Sequence, residues 1–121
     1  MTIEANDFYE IADEIMDKGR QTGKEIYYRT TASRAYYGSL HQCKNLLSQK
    51  YDFHQAEGEH SHQQVINALY RHNLNELAIS LSRMRTYRVR ADYQLNEIFT
   101  KKDAESMLRE AQNVSDILPN M

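Results

Sequence analysis

Apolar residues recur at spacings of three and four along five stretches of the chain, the pattern of helices that each bury one stripe. The first stretch carries Phe8, Ile11, Ala12 and Ile15. The second, about residues 23 to 50, carries Ala32, Tyr36, Leu40, Cys43 and Leu47. A short third has Val65, Ile66 and Leu69, and a fourth, about residues 74 to 95, has Leu77, Leu81, Met84, Ala91 and Leu95. The last uses Ala104, Met107, Leu108, Ala111, Val114 and Leu118. Four candidate capping boxes mark helix starts: Thr22 with Glu25, Ser61 with Gln64, Asn73 with Glu76, and Thr100 with Asp103. Short links favour antiparallel neighbours, so the pattern predicts an all-α, four- to five-helix antiparallel up-down bundle. The one extended link is YDFHQAEGEH, Tyr51 to His60.

Composition agrees with that pattern. At 121 residues and 14.3 kDa the chain can build one core, so residues 1–121 are expected to form a single domain. One proline and four glycines leave too little turn chemistry for an all-β fold. A mean hydropathy of −0.79 implies a very polar surface. The opening MTIEANDFYE has no basic stretch followed by an apolar run, and no segment approaches the roughly 18 apolar residues of a membrane span. A cytoplasmic protein with no membrane partner is the expectation. Cys43 is the lone cysteine and sits among leucines, as a small buried hydrophobe would.

The net charge of −2 conceals an uneven distribution. Residues 4 to 17 hold six acids and no base, whereas 18 to 50 hold seven bases and the single acid Glu25. Arg83, Arg85, Arg88 and Arg90 then fall within eight residues. Either these are solvated helix faces laced with ion pairs, or they form an anion-binding surface.

Candidate chemistry lies on the second helix. In SRAYYGSLH, Arg34 and His41 are seven residues apart, about 700° of rotation and roughly 10 Å of rise, hence on one face. That face also carries Thr30, Tyr37, Gly38 and Asn45. A guanidinium beside an imidazole suits RNA cleavage: the histidine moves the proton of the 2′-hydroxyl and the arginine steadies the phosphate charge. That chemistry needs no metal and no cofactor. The other reading gives Arg34 a carboxylate partner on the first helix and His41 a local hydrogen bond. On the fourth helix the seam Leu77, Leu81, Met84 continues onto Arg88, an arginine aimed inward, with Asp92 as its partner in a structural pair or a substrate contact. His54, His60 and His62, with Glu57 and Glu59, lack the fixed spacing of a zinc site, so no metal is expected, and His62 is placed at the start of the third helix. Tyr27, Tyr28, Tyr36 and Tyr37 suit core and dimer packing, or base stacking.

These pieces also carry a resemblance. RTTASRAYYGSLHQCKNLL resembles the second helix of HEPN domains, SHQQVINAL is similar to the opening of their third, and RVRADY matches their R-x-x-A-D-Y. With DFYEIADEI and the alanine-bearing last helix, the likeness spans nearly the whole chain. It implies a helical bundle that commonly dimerises, in a family rich in metal-independent endoribonucleases of toxin–antitoxin and phage-defence systems. Their motif is Arg, four to six residues, His, paired across a dimer, and Arg34 to His41 fits it. The expected function is thus RNA cleavage by a homodimer, with Arg34 and His41 catalytic and Tyr37, Arg83, Arg85, Arg88 and Arg90 supporting or RNA-binding. An antitoxin is the implied partner. The alternative implied by the resemblance is a non-catalytic nucleotide or RNA binder, or a companion of a nucleotidyltransferase.

Overall fold

A computed structural model of the chain describes residues 2–54 and 61–118. The elements run α1 (Ala5–Thr22), α2 (Glu25–Tyr51), α3 (Ser61–Arg71), α4 (Asn75–Tyr93) and α5 (Lys101–Ile117). The fold is an all-α bundle of five helices among the described residues. No helix there is long and apolar enough to cross a membrane.

Helix α2 is the spine, packing against all four of the others. Its expected stripe of Ala32, Tyr36, Leu40, Cys43 and Leu47 is buried. Serving four neighbours buries far more of it, including Tyr28, Thr31, Ser33, Ala35, Gly38 and Ser39. Around it close Ala12 and Met16 of α1, Val65, Ile66 and Leu69 of α3, Leu77, Leu81, Met84 and Ala91 of α4, and Ala104, Met107, Ala111 and Val114 of α5. Burial holds the Cys43 thiol up at about 12, far from a reactive thiolate.

Several sequence expectations shift. On α1 the buried stripe is Ala12, Met16 and Gly19, and Ile11 is 40% exposed. Leu95 is 72% exposed because α4 ends at Tyr93, two residues short of it. Of the capping boxes, Thr100 and Asp103 form theirs reciprocally, at 3.1 and 2.8 Å. Thr22 does not cap α2: Gly23, at φ 69°, closes α1 only after Thr22, whose hydroxyl donates to the Lys18 carbonyl. Asn73 likewise ends α3 instead of opening α4, because it takes φ 63° and leaves Leu74 as the N-cap. Ser61 is the first residue of α3 rather than its cap. The expected link from Tyr51 begins later, at Asp52, and its residues 55–60 lie outside the described residues.

Gly38, which the sequence places on the face of Arg34 and His41, lies against α1 of its own chain. A Cβ there would lie 2.7 Å from the Tyr9 ring, and the Tyr9 hydroxyl bonds Ser39 at 2.7 Å and Gln42 at 2.6 Å. The close approach of α1 to α2 depends on that missing side chain.

The most deeply buried arginine is Arg29. Its Nη1 donates to the carbonyls of Arg90 (3.0 Å) and Ala91 (2.9 Å), its Nη2 donates to that of Glu97, and Gln94 O accepts from both. Its Nε pairs with Glu25 at 2.8 Å. A fixed positive fork thereby closes the C-terminal end of α4, where unpaired carbonyls and the helix dipole favour a cation.

Candidate functional site

The site is built where α2, α4 and the starts of α1 and α3 meet. Tyr37 is its hub. The Arg34 guanidinium lies 5.2 Å from the Tyr37 ring centroid and that of Arg88 lies 5.3 Å from it, so two cations share one aromatic ring. Arg88 Nη2 also donates to the Tyr37 hydroxyl at 2.9 Å.

Phe8, read from sequence as a core residue of the first helix, is half-buried and completes the wall. Its ring lies 6.5 Å from Tyr37 and 5.1 Å from the His41 ring, and the Arg34 guanidinium is 5.8 Å from its centroid. One phenyl ring thus touches both Arg34 and His41, which the seven-residue spacing had placed on a common face. Neither follows the alternative reading. Among the described residues Arg34 has no carboxylate partner, its one hydrogen bond going to Ser33 Oγ at 3.2 Å, and His41 has no hydrogen bond to either ring nitrogen.

Arg88 meets Asp92 as an ion pair at 3.0 Å, its side chain 13% exposed. Ser33 donates to the same carboxylate oxygen at 3.1 Å, tying α2 to α4. Arg88 further touches the exposed Tyr93, through its hydroxyl at 3.3 Å and its ring at 5.2 Å. The inward arginine of the α4 seam is therefore both paired with Asp92 and at the edge of the site.

The remaining α4 arginines divide. Arg85 donates to Gln63 of α3 at 2.8 Å and stays on the His62 side. Arg83 turns to Glu110 (3.4 Å), and Arg90 turns to Glu97 and Asp103 (3.6 Å each), with its guanidinium over Tyr87 and Phe99. A helix turns 100° per residue, so four arginines within eight residues cannot share one face.

His62, expected to orient the start of α3, instead reaches across to α2. Its Nδ1 bonds the buried Tyr36 hydroxyl at 2.9 Å, and its ring stands edge-on to Tyr37 at 5.9 Å and 84°. Of the other residues weighed as metal ligands, exposed His54 pairs with Asp52 at 3.3 Å, while Glu57, Glu59 and His60 lie outside the described residues. Among the described residues no cluster of three or more His, Cys, Asp or Glu could hold a metal ion.

Positive charge predominates in the site. Burial lowers the pKa of His41 below its ordinary value, helped by Lys44. Burial lowers that of His62 too, reinforced by Arg88, Arg85, Lys44 and His41. Asp92, bonded by Ser33 and Arg88, is the one carboxylate hydrogen-bonded within the site among the described residues, against the cations Arg34, Arg85, Arg88 and Lys44. Phe8 carries no signal as a site residue in the sequence, where it reads as part of the first helix's apolar stripe. In the sequence His62 stands out as one of the loop histidines weighed for a metal and by its place in the SHQQVINAL piece, neither of which points to Tyr36 or Tyr37.

Three comparisons with known proteins bear on this arrangement. No curated protein and no solved structure matches the chain. The family model of the HEPN domain matches residues 5–121, nearly the whole chain, and so includes every residue of the site. That family is generally linked to RNase activity or nucleotide binding. The chain belongs to the HEPN domain family.

Proposed function

We propose that the protein is a metal-independent endoribonuclease, with His41 transferring the proton of the attacking 2′-hydroxyl and Arg34 steadying the phosphate. The observation that carries this reading is the Phe8 ring, which holds an arginine free of any carboxylate partner beside a histidine whose ring nitrogens are unengaged, among the described residues. Arg88 and Arg29, the arginines of α4 and α2 with largely buried side chains, are each paired with a carboxylate. A phosphodiester supplies the missing anion.

Arg88 and Arg85 add charge on the side of His62, Tyr37 holds the Arg34 and Arg88 guanidiniums at its ring, and the exposed Tyr93 offers a ring to nucleobases. Arg83 and Arg90, already engaged with carboxylates of α5 and of the 94–99 link, contribute less. HEPN domains often dimerise, and a homodimer is proposed here as well, held at a surface other than the Gly38 face that α1 covers. A toxin or phage-defence role, with an antitoxin partner, follows from the same reading.

The test is a panel of single-stranded RNAs incubated with purified protein in EDTA, with end analysis of the products. Cleavage leaving a 2′,3′-cyclic phosphate or its hydrolysis product supports the reading. Binding without cleavage instead favours a non-catalytic RNA or nucleotide binder, or the companion of a nucleotidyltransferase.

A further inference from the structure

Cleavage of an RNA strand by its own 2′-hydroxyl needs two proton transfers, one from the nucleophile and one to the departing 5′-oxygen. One histidine can supply only half of that at a time. The site holds two, from different helices, joined by a continuous row of rings: His41 packs on Phe8, Phe8 on Tyr37, and His62 stands edge-on to Tyr37.

We infer that His62 is the general acid of this site, acting opposite His41 as the base; the inference rests on the ribonuclease reading above. In the step, His41 takes the 2′-hydroxyl proton as the 2′-oxygen bonds to phosphorus. The P–O5′ bond breaks and the leaving oxygen takes the Nε2 proton of His62. The products are a 2′,3′-cyclic phosphate and a 5′-hydroxyl, and solvent returns each histidine to its starting state.

The roles follow from the partners. Neither ring nitrogen of His41 has a hydrogen bond among the described residues, which leaves a lone pair for a base. His62 Nδ1 is held by Tyr36, whose phenol burial pushes up in pKa and so keeps protonated. That hydroxyl accepts from Nδ1–H while His62 is cationic and rotates to donate when Nδ1 is bare. Nδ1 is therefore satisfied in every state, and Nε2 is the nitrogen left to exchange a proton. Arg88, Arg85, Lys44 and His41, the charges that lower the His62 pKa beyond what burial does, make it a readier proton donor. The charged and titratable groups facing the pair are Lys44 and, across the Phe8 ring, Arg34 at His41, and Tyr36, Tyr37, Arg85, Arg88, Lys44 and His41 at His62.

The test compares RNA with uridine 3′-(4-nitrophenyl phosphate), whose leaving group departs without a proton. His62→Ala, and His62→Phe as the variant that keeps ring packing, should slow RNA cleavage by about 100-fold yet slow the aryl ester by less than about 3-fold. His41→Ala should slow both by about 100-fold. For RNA, the pH profile of the wild type should be a bell centred on the acid side of 6.5, and His62→Phe should lose its alkaline limb. Equal losses on the two substrates, or an unchanged bell in a His62→Phe protein that melts like wild type, overturns the inference while leaving the ribonuclease reading standing. Wild type inert on both substrates overturns that reading, and the inference with it.

Discussion

Replacing Arg29 with alanine removes the side chain that closes the α4 end of the bundle. Arg29 is buried, 6% exposed, and its guanidinium serves the carbonyls of Arg90, Ala91, Gln94 and Glu97. A hydrogen bond to a charged group contributes about 1.5–3 kcal/mol, and a carbonyl left buried without a partner costs about 1–3 kcal/mol. Water would enter from the exposed link and recover part of this, since Gln94 and Glu97 lie at the surface. Loss of the favourable dipole interaction adds about 0.3–1 kcal/mol. The sum expected is about 3–5 kcal/mol, equivalent to a fall in Tm of about 12–20 °C for a domain of this size. Arg29→Lys keeps the charge without the planar fork and should recover about half of the loss. Chemical denaturation of the three proteins, followed by circular dichroism, gives the free energies. A loss below about 1 kcal/mol for Arg29→Ala would refute the reasoning, since it would mean the four carbonyls are solvated in the native state.

Three further outcomes are expected. Arg88→Ala should cost about 1.5–3 kcal/mol, because Asp92 keeps only Ser33, and Arg88→Met should cost less by refilling the space; equal melting of both variants and wild type would mean the pair contributes nothing. Gly38→Ala should cost about 1–3 kcal/mol through the clash with Tyr9, and a thermal melt unchanged from wild type would show that α1 can shift at no cost. His41 and His62 both have lowered folded pKa values, so unfolding takes up protons and the associated stability is present above the unfolded value of 6.5 and lost as pH falls below it. Melting temperature should therefore drop between pH 7.5 and 5.5, and the double variant His41→Phe, His62→Phe should flatten that slope; an unaltered slope would contradict it.

The helices and most of the core were legible from apolar spacing because each outer helix buries one stripe. The spine helix was less so, since α2 meets four partners and a single-stripe reading understates its burial. Capping boxes misled wherever a left-handed residue, Gly23 or Asn73, closed the preceding helix first. Arg34 and His41 could be placed on one face because seven residues is nearly two full turns. Phe8 and His62 could not be joined to them from local pattern, as their partners lie on other helices. Arg29 was invisible for a stronger reason: its acceptors are backbone carbonyls 61 to 68 residues away, and a carbonyl leaves no mark in a sequence.

The central claim is that Arg34 and His41 act on a phosphodiester rather than hold the bundle together. It is tested most directly by measuring RNA cleavage in EDTA and melting temperature on the same preparations of wild type, Arg34→Ala and His41→Ala. The account predicts that each variant loses about 100-fold or more in rate while its Tm stays within about 3 °C of wild type, as loss of a transition-state contact requires. Variants that melt well below wild type, with cleavage unchanged in rate or absent from all three proteins, would contradict it.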